Sequence, residues 1–163
     1  MTLKDNMDIK SISYVFSILN KHNVQSMVVG GTAVAFYGYI RLSTNQSGQV
    51  VNKPDIDIWY NPTYENYYKI LNAIEELGKD VTQYREEEMP NPKKSFFKFD
   101  FDNYTLDLLP RINASLKFSA SFARRAIFED NGLQISVISL EDLIEDKKVT
   151  GRPKDLDDIE RLK

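Results

Sequence analysis

The chain contains no cysteine and a single histidine, His22. The first absence excludes disulfides, thiolate zinc sites and cysteine nucleophiles, and leaves no sign of an oxidising compartment. The second argues against a Ser-His-Asp triad or an imidazole metal centre. Neither sign of charge dominates: 21 Lys and Arg face 24 Asp and Glu, for a net charge of −3. That balance argues against an extended basic face for long nucleic acid, yet leaves room for a local patch that takes a short acceptor end. Met1 to Lys10 is polar and charged, so neither a secretory signal nor a membrane span is expected, and a cytoplasmic protein is.

What is present suits one globular domain over residues 1–163. At 42% hydrophobic and 12% aromatic, the chain can bury a substantial core but not two. Asp8 to His22 carries Ile9, Ile12, Val15, Phe16 and Leu19 at i, i+3, i+4 spacing, which predicts an amphipathic helix. Ser26–Val29 reads as a short strand closed by Gly30-Gly31, and Thr32–Tyr39 as a short buried helix. Ser43–Pro54 is small, polar and turn-rich, the makeup of a mobile loop. A strand runs from Asp55 to Tyr60, and Asn61-Pro62-Thr63 then opens a helix that ends at Gly78. Ser95–Phe101 and Tyr104–Leu109 are strand-like around a tight Asp102-Asn103 turn. After a helix over Ala120–Ala126, Ile127–Phe128 and Leu133–Ile138 flank Asn131-Gly132, a strong hairpin signal. Ser139 begins a helix through Val149 with a capping-box pattern, and a last helix starts near Pro153. This order describes an α/β (α+β) fold, with helices packed on a mixed sheet.

The chemistry begins at Asp55-Ile56-Asp57-Ile58. On a strand, Asp55 and Asp57 project together while Ile56 and Ile58 project the other way. Like charges on one face repel unless something neutralises them, and a hard divalent cation such as Mg²⁺ is the natural partner. A solvent-facing edge strand is the plain alternative. Upstream, Gly30-Gly31-Thr32 is either a turn whose backbone N–H groups face phosphate or a tight turn with no ligand. A third acid lies at Asp107, among apolar neighbours where an unpaired charge is costly. Asp100 and Asp102 are its rivals, but they border a turn.

Taken in order, Gly30-Gly31-Thr32, Asp55-Ile56-Asp57-Ile58 and Asp107 resemble the signature of the nucleotidyltransferase superfamily. Leu143-Ile144-Glu145-Asp146-Lys147-Lys148 and Gly151-Arg152-Pro153-Lys154-Asp155-Leu156-Asp157-Asp158 are similar to the tail of AbiEii-type toxin nucleotidyltransferases. The resemblance implies a nucleotidyltransferase-like mixed sheet and transfer of a nucleoside monophosphate from an NTP to a hydroxyl, with Mg²⁺ or Mn²⁺ as cofactor. It implies that Asp55, Asp57 and Asp107 hold the metal and that Asp107 helps remove the acceptor's proton. It also implies that Gly30, Gly31 and Thr32 bind the nucleotide's phosphates. Lys147 would offset phosphate charge, and Asp155 would orient that lysine or touch the acceptor. Arg41 is a further candidate for the triphosphate, against the plain reading of a surface arginine. The Lys147–Asp158 stretch has its own plain reading, a solvated charged helix end.

The stretch between Gly31 and Asp55 is longer than the family pattern, so residues 43–54 read as an insertion: a lid, or the mark of an inactive member. The expected partners are an NTP, an RNA (tRNA 3′ end) or protein acceptor, and an antitoxin or a second copy of the chain, with no membrane. The alternative is a catalytically inactive nucleotide-binding or regulatory module of the same fold.

Overall fold

Alternation of apolar and polar residues along the strands sorts the sheet into a core face and a polar face. The computed structural model describes residues 9–38, 43–44, 50–51 and 53–163. In chain order the elements are α1 (Ile9–Lys21), β1 (Ser26–Val28), α2 (Gly30–Phe36), β2 (Ser43–Thr44), β3 (Val50–Val51) and β4 (Asp55–Tyr60). There follow α3 (Tyr64–Glu76), α4 (Thr82–Arg85), β5 (Phe97–Asp100), β6 (Thr105–Leu109), α5 (Phe118–Ala123), β7 (Ala126–Asp130), β8 (Leu133–Val137), α6 (Leu140–Thr150) and α7 (Pro153–Leu162).

Six strands form one sheet in the order β5-β6-β4-β1-β8-β7. The β4–β6 and β1–β8 pairs are parallel, and the β5–β6, β1–β4 and β7–β8 pairs are antiparallel. On one face Ile56, Ile58, Tyr60, Leu106, Leu108, Phe97 and Phe99 are buried. The Tyr67 and Tyr84 rings pack on Phe97 with centroids 5.7 and 5.0 Å away. α1 lies on β8 and against α3, α2 lies on β4 and touches α6, and α6 packs on α7. On the other face, Trp59 is fully buried, its ring edge-on to Phe118 at 5.4 Å and its indole N–H donating to the Pro110 carbonyl.

Caps fall where the sequence signals them. Thr63 accepts from the Asn66 N–H at the start of α3, and Ser139 accepts from the Asp142 N–H at the start of α6. The reciprocal half of the expected capping box is not made that way, because the Asp142 carboxylate accepts from Ser121 and Arg124 instead. Asn131 and Gly132 both have positive φ (50° and 84°), as a two-residue hairpin turn requires.

Several boundaries differ from the sequence expectation. α2 begins at Gly30 rather than Thr32, and Val29 is its N-cap, so the glycine pair is the helix's first turn. The expected helix over Ala120–Ala126 lies at Phe118–Ala123, since Ala126 pairs with Val137 as the first residue of β7. α4 is a single unexpected turn. Within the expected loop 43–54, Ser43–Thr44 pairs antiparallel with Val50–Val51; residues 45–49 and 52 lie outside the described residues.

Ile58 has no exposed surface and sits in the central strands. Ile58→Ala is expected to lower unfolding free energy by about 2–5 kcal/mol, read from urea titrations. A loss under about 1 kcal/mol would mean the core face is placed wrongly.

Candidate active site

Both parallel strands that carry the acids expose them on the polar face. Across the β4–β6 ladder Asp55 stands opposite Thr105, and Asp57 stands opposite Asp107. Cross-strand partners in one register share a face, so the two central carboxyls lie side by side. Burial, then the Asp107 and Asp55 charges, push the Asp57 carboxyl up to about 7, against a weaker opposing pull from Lys147. Burial also raises Asp107, with Lys98 pulling the other way.

Asp55, at the exposed start of β4, accepts a hydrogen bond from the Thr105 hydroxyl. Among the described residues, no three carboxylate or imidazole groups already surround one point. The donor chemistry nevertheless fits a hard divalent cation. Two carboxyls held in mutual repulsion and a third two residues away offer only oxygen ligands. The rivals are placed elsewhere: Asp100 is exposed and bonded to Lys53, which holds its carboxyl below the usual range, and Asp102 lies in the exposed turn.

The glycine turn is built against Asp57. Gly30 has φ +62°, and a Cβ added there would lie 2.7 Å from Asp57 Oδ2 and 3.3 Å from its Cβ and Cγ. Only glycine gives both this backbone and this approach. The Val29 N–H donates to the Asp57 carbonyl at 2.9 Å, and Gly31 is half-buried at the helix start. The Thr32 hydroxyl donates to the Asp55 carbonyl at 2.9 Å and accepts from the Asp57 N–H at 3.3 Å. It is therefore committed to strapping α2 onto β4. Arg41 lies outside the described residues.

Lys147 and Asp155 form a second cluster that reaches the first electrostatically. Lys147 is 4% exposed, and its ammonium lies 3.1 Å from both Asp155 Oδ1 and Asp158 Oδ2. Burial pushes Asp155 up, but hydrogen bonds and charge from Arg152 and Lys147 outweigh it and hold the carboxyl at about 2. Arg152 Nε donates to Asp155 Oδ2 at 2.6 Å. The Asp155 bond raises the Arg152 guanidinium further, with smaller contributions from the Asp158 and Asp57 charges. The plain reading of a solvated helix end does not hold for Lys147, Asp155 and Asp158, all of which are buried. Sequence reasoning missed two residues here. Arg152 stood within the Gly151–Asp158 stretch that carries the tail resemblance, but no role was assigned to it. Lys98, opposite Asp107 in the β5–β6 register, could have been found from the alternation that puts Phe97 and Phe99 inside.

Compared with solved structures, the chain is similar to the lincosamide antibiotic adenylyltransferase LnuA in its lincomycin-bound form. The TM-score is 0.57 and the identity 17%, over 94% of each chain. It is similar to the antibiotic-resistance factor ANT(2″)-Ia at TM-score 0.54 and 20% identity, over 96% of this chain and 83% of that one. An antigenic nucleotidyltransferase-like protein from Paracoccidioides brasiliensis matches at 0.50 and 14%, over 94% and 73%. No family model matches the sequence, and no curated protein does. The shared feature is the architecture: the chain has a nucleotidyltransferase-like fold.

Two predictions follow from the crowding at Asp57. Gly30→Ala meets both a left-handed backbone and the Asp57 side chain, and is expected to cost about 1–3 kcal/mol in urea unfolding. An unaltered midpoint would show that the turn is not packed on Asp57. Separately, the folded state retains an Asp57 proton that the unfolded chain, with an ordinary value of 3.8, releases. In EDTA, this group's contribution is therefore most favourable below about pH 4 and is lost as pH rises through about 7. Asp57→Asn is expected to flatten thermal stability across that window, and an unchanged slope would contradict the shift.

Proposed function

We propose that this chain is a Mg²⁺-dependent nucleotidyltransferase, which moves a nucleoside monophosphate from an NTP to a hydroxyl acceptor. One observation carries the reading: Asp57 faces Asp107 across a parallel ladder, with Asp55 on the same face and the Gly30 turn packed against Asp57. Among proteins of like fold, LnuA is a lincosamide adenylyltransferase. ANT(2″)-Ia has been solved with adenylyl-2″-tobramycin at TM-score 0.51 and 19% identity. Both support nucleotidyl transfer as the activity of this fold.

In the reaction the acceptor oxygen forms a bond to the α-phosphorus as the bond to the α–β bridging oxygen breaks. Pyrophosphate leaves with that electron pair, and the hydroxyl proton passes to the Asp107 carboxylate. Asp55, Asp57 and Asp107 would hold Mg²⁺ or Mn²⁺, which would supply positive charge to offset the negative charge of the reacting oxygens. Backbone N–H groups of Gly30 and Gly31 face the phosphates, and Thr32 keeps that turn in place on β4. Lys147 adds positive charge beside Asp57 and is held by Asp155. The toxin-type form of the proposal, with a tRNA 3′ end as acceptor and an antitoxin as partner, is supported by the resemblance of the Leu143–Lys148 and Gly151–Asp158 stretches.

A second reading, an inactive nucleotide-binding module, draws on the bond between Asp55 and Thr105. Radiolabelled NTPs with Mg²⁺ and total RNA or protein separate the two. The enzyme is expected to transfer label, with Asp57→Ala and Asp107→Ala each reducing transfer by at least about a hundredfold. Tight Mg-NTP binding without pyrophosphate release supports the module, and full activity in Asp57→Ala overturns the assignment of the acids.

A further inference from the structure

The polar face continues past the acids toward the open β5 edge. Lys98 stands opposite Asp107, its ammonium 3.9 Å from Asp107 Oδ1 and its side chain 75% exposed. So long and open an ion pair contributes little to stability and leaves the lysine available. Two residues earlier, just before β5, stands Phe96, with 53% of its surface exposed. The exposed Arg111, just beyond β6, lies over that ring at 5.6 Å. A half-exposed aromatic ring with Arg111 over it, and Lys98 two residues on at a carboxyl of the central acid pair, place aromatic surface and two cations on this side of a chain of net charge −3.

We propose that Phe96, Lys98 and Arg111 form the acceptor's seat and select a nucleotide unit, its base stacked on Phe96 and its phosphate against Lys98 and Arg111. This rests on the nucleotidyl-transfer reading above. A base offers a face to any aromatic platform, and Arg and Lys bind the neighbouring phosphate by charge. The bound unit presents its ribose hydroxyl toward Asp107, which stands next to Lys98 in the register. The same two cations repel a polyamine sugar, so the patch discriminates by sign as well as by shape. The covalent step is unchanged: the ribose oxygen bonds to the α-phosphorus, pyrophosphate departs with the broken bond's electrons, and the proton goes to Asp107.

The test supplies α-labelled ATP and MgCl₂ with four acceptors: a short single-stranded RNA with a free 3′ hydroxyl, AMP, tobramycin and casein. Label is expected on the RNA or on AMP, and which of the two accepts it tells a polynucleotide end from a free nucleotide. Fluorescence anisotropy with fluorescein-labelled RNA is the second readout. Lys98→Glu and Phe96→Ala are each expected to raise Kd about tenfold, and Phe96→Tyr to restore it. Lys98→Gln is expected to lower the slope of log K against log salt by about one, which a merely structural residue would not do. Transfer to tobramycin or casein, or RNA affinity and salt slope equal in all variants, overturns the seat. Calorimetry with Mg-ATP separates the two ideas: ATP binding with label on casein sinks the seat alone, and no ATP binding sinks both.

Discussion

Two carboxyls that repel each other are held side by side because the parallel β4–β6 register allows nothing else. Gly30 is packed against the Asp57 side chain, and the Asp57 backbone N–H and carbonyl are held by Thr32 and Val29. The ladder around the pair is apolar on its reverse side, where Ile56, Ile58, Leu106 and Leu108 are buried. A one-residue slip would put those side chains into water and the acids into the core. The hydrophobic face thus fixes the register, and the register imposes the electrostatic conflict between Asp57 and Asp107.

Around that pair the chain distributes positive charge in two ways. On the inner side, α7 brings Asp155 and Asp158 to Lys147, and Arg152 closes over Asp155. Buried ion pairs of this kind add little net stability, but breaking one partner leaves uncompensated charge, so they specify geometry. α6 and α7 are locked to each other beside Asp57 as a result. On the outer side Lys98 and Arg111 stay exposed, Lys98 beside Asp107 and Arg111 over the Phe96 ring.

Much of the fold was legible because its signals are local. The spacing of Ile9, Ile12, Val15 and Phe16 marks α1, Thr63 and Ser139 mark helix starts, and Asn131-Gly132 marks the β7–β8 turn. The misplaced elements had weak or contested signals. Phe118–Ala123 is short, and pairing with β8 draws Ala126 away from it. Thr82–Arg85 is a single turn with no apolar stripe. Thr32 illustrates a different limit: a hydroxyl at a helix start suits phosphate, but only the fold shows that two backbone groups of β4 already occupy it.

The sequence by itself determined that Asp55 and Asp57 share a face, that Ile56 and Ile58 face the opposite way, and that a helix follows β1 at the glycine pair. Each follows from dihedral geometry within a few residues. Only the tertiary structure decided that Asp107, rather than Asp100 or Asp102, meets Asp57, that Lys147 lies between two buried carboxylates, and that Lys98 extends the polar face. Those pairings join residues far apart in the chain, and they are set by strand order and register, which depend on how the whole apolar face is buried rather than on any local pattern.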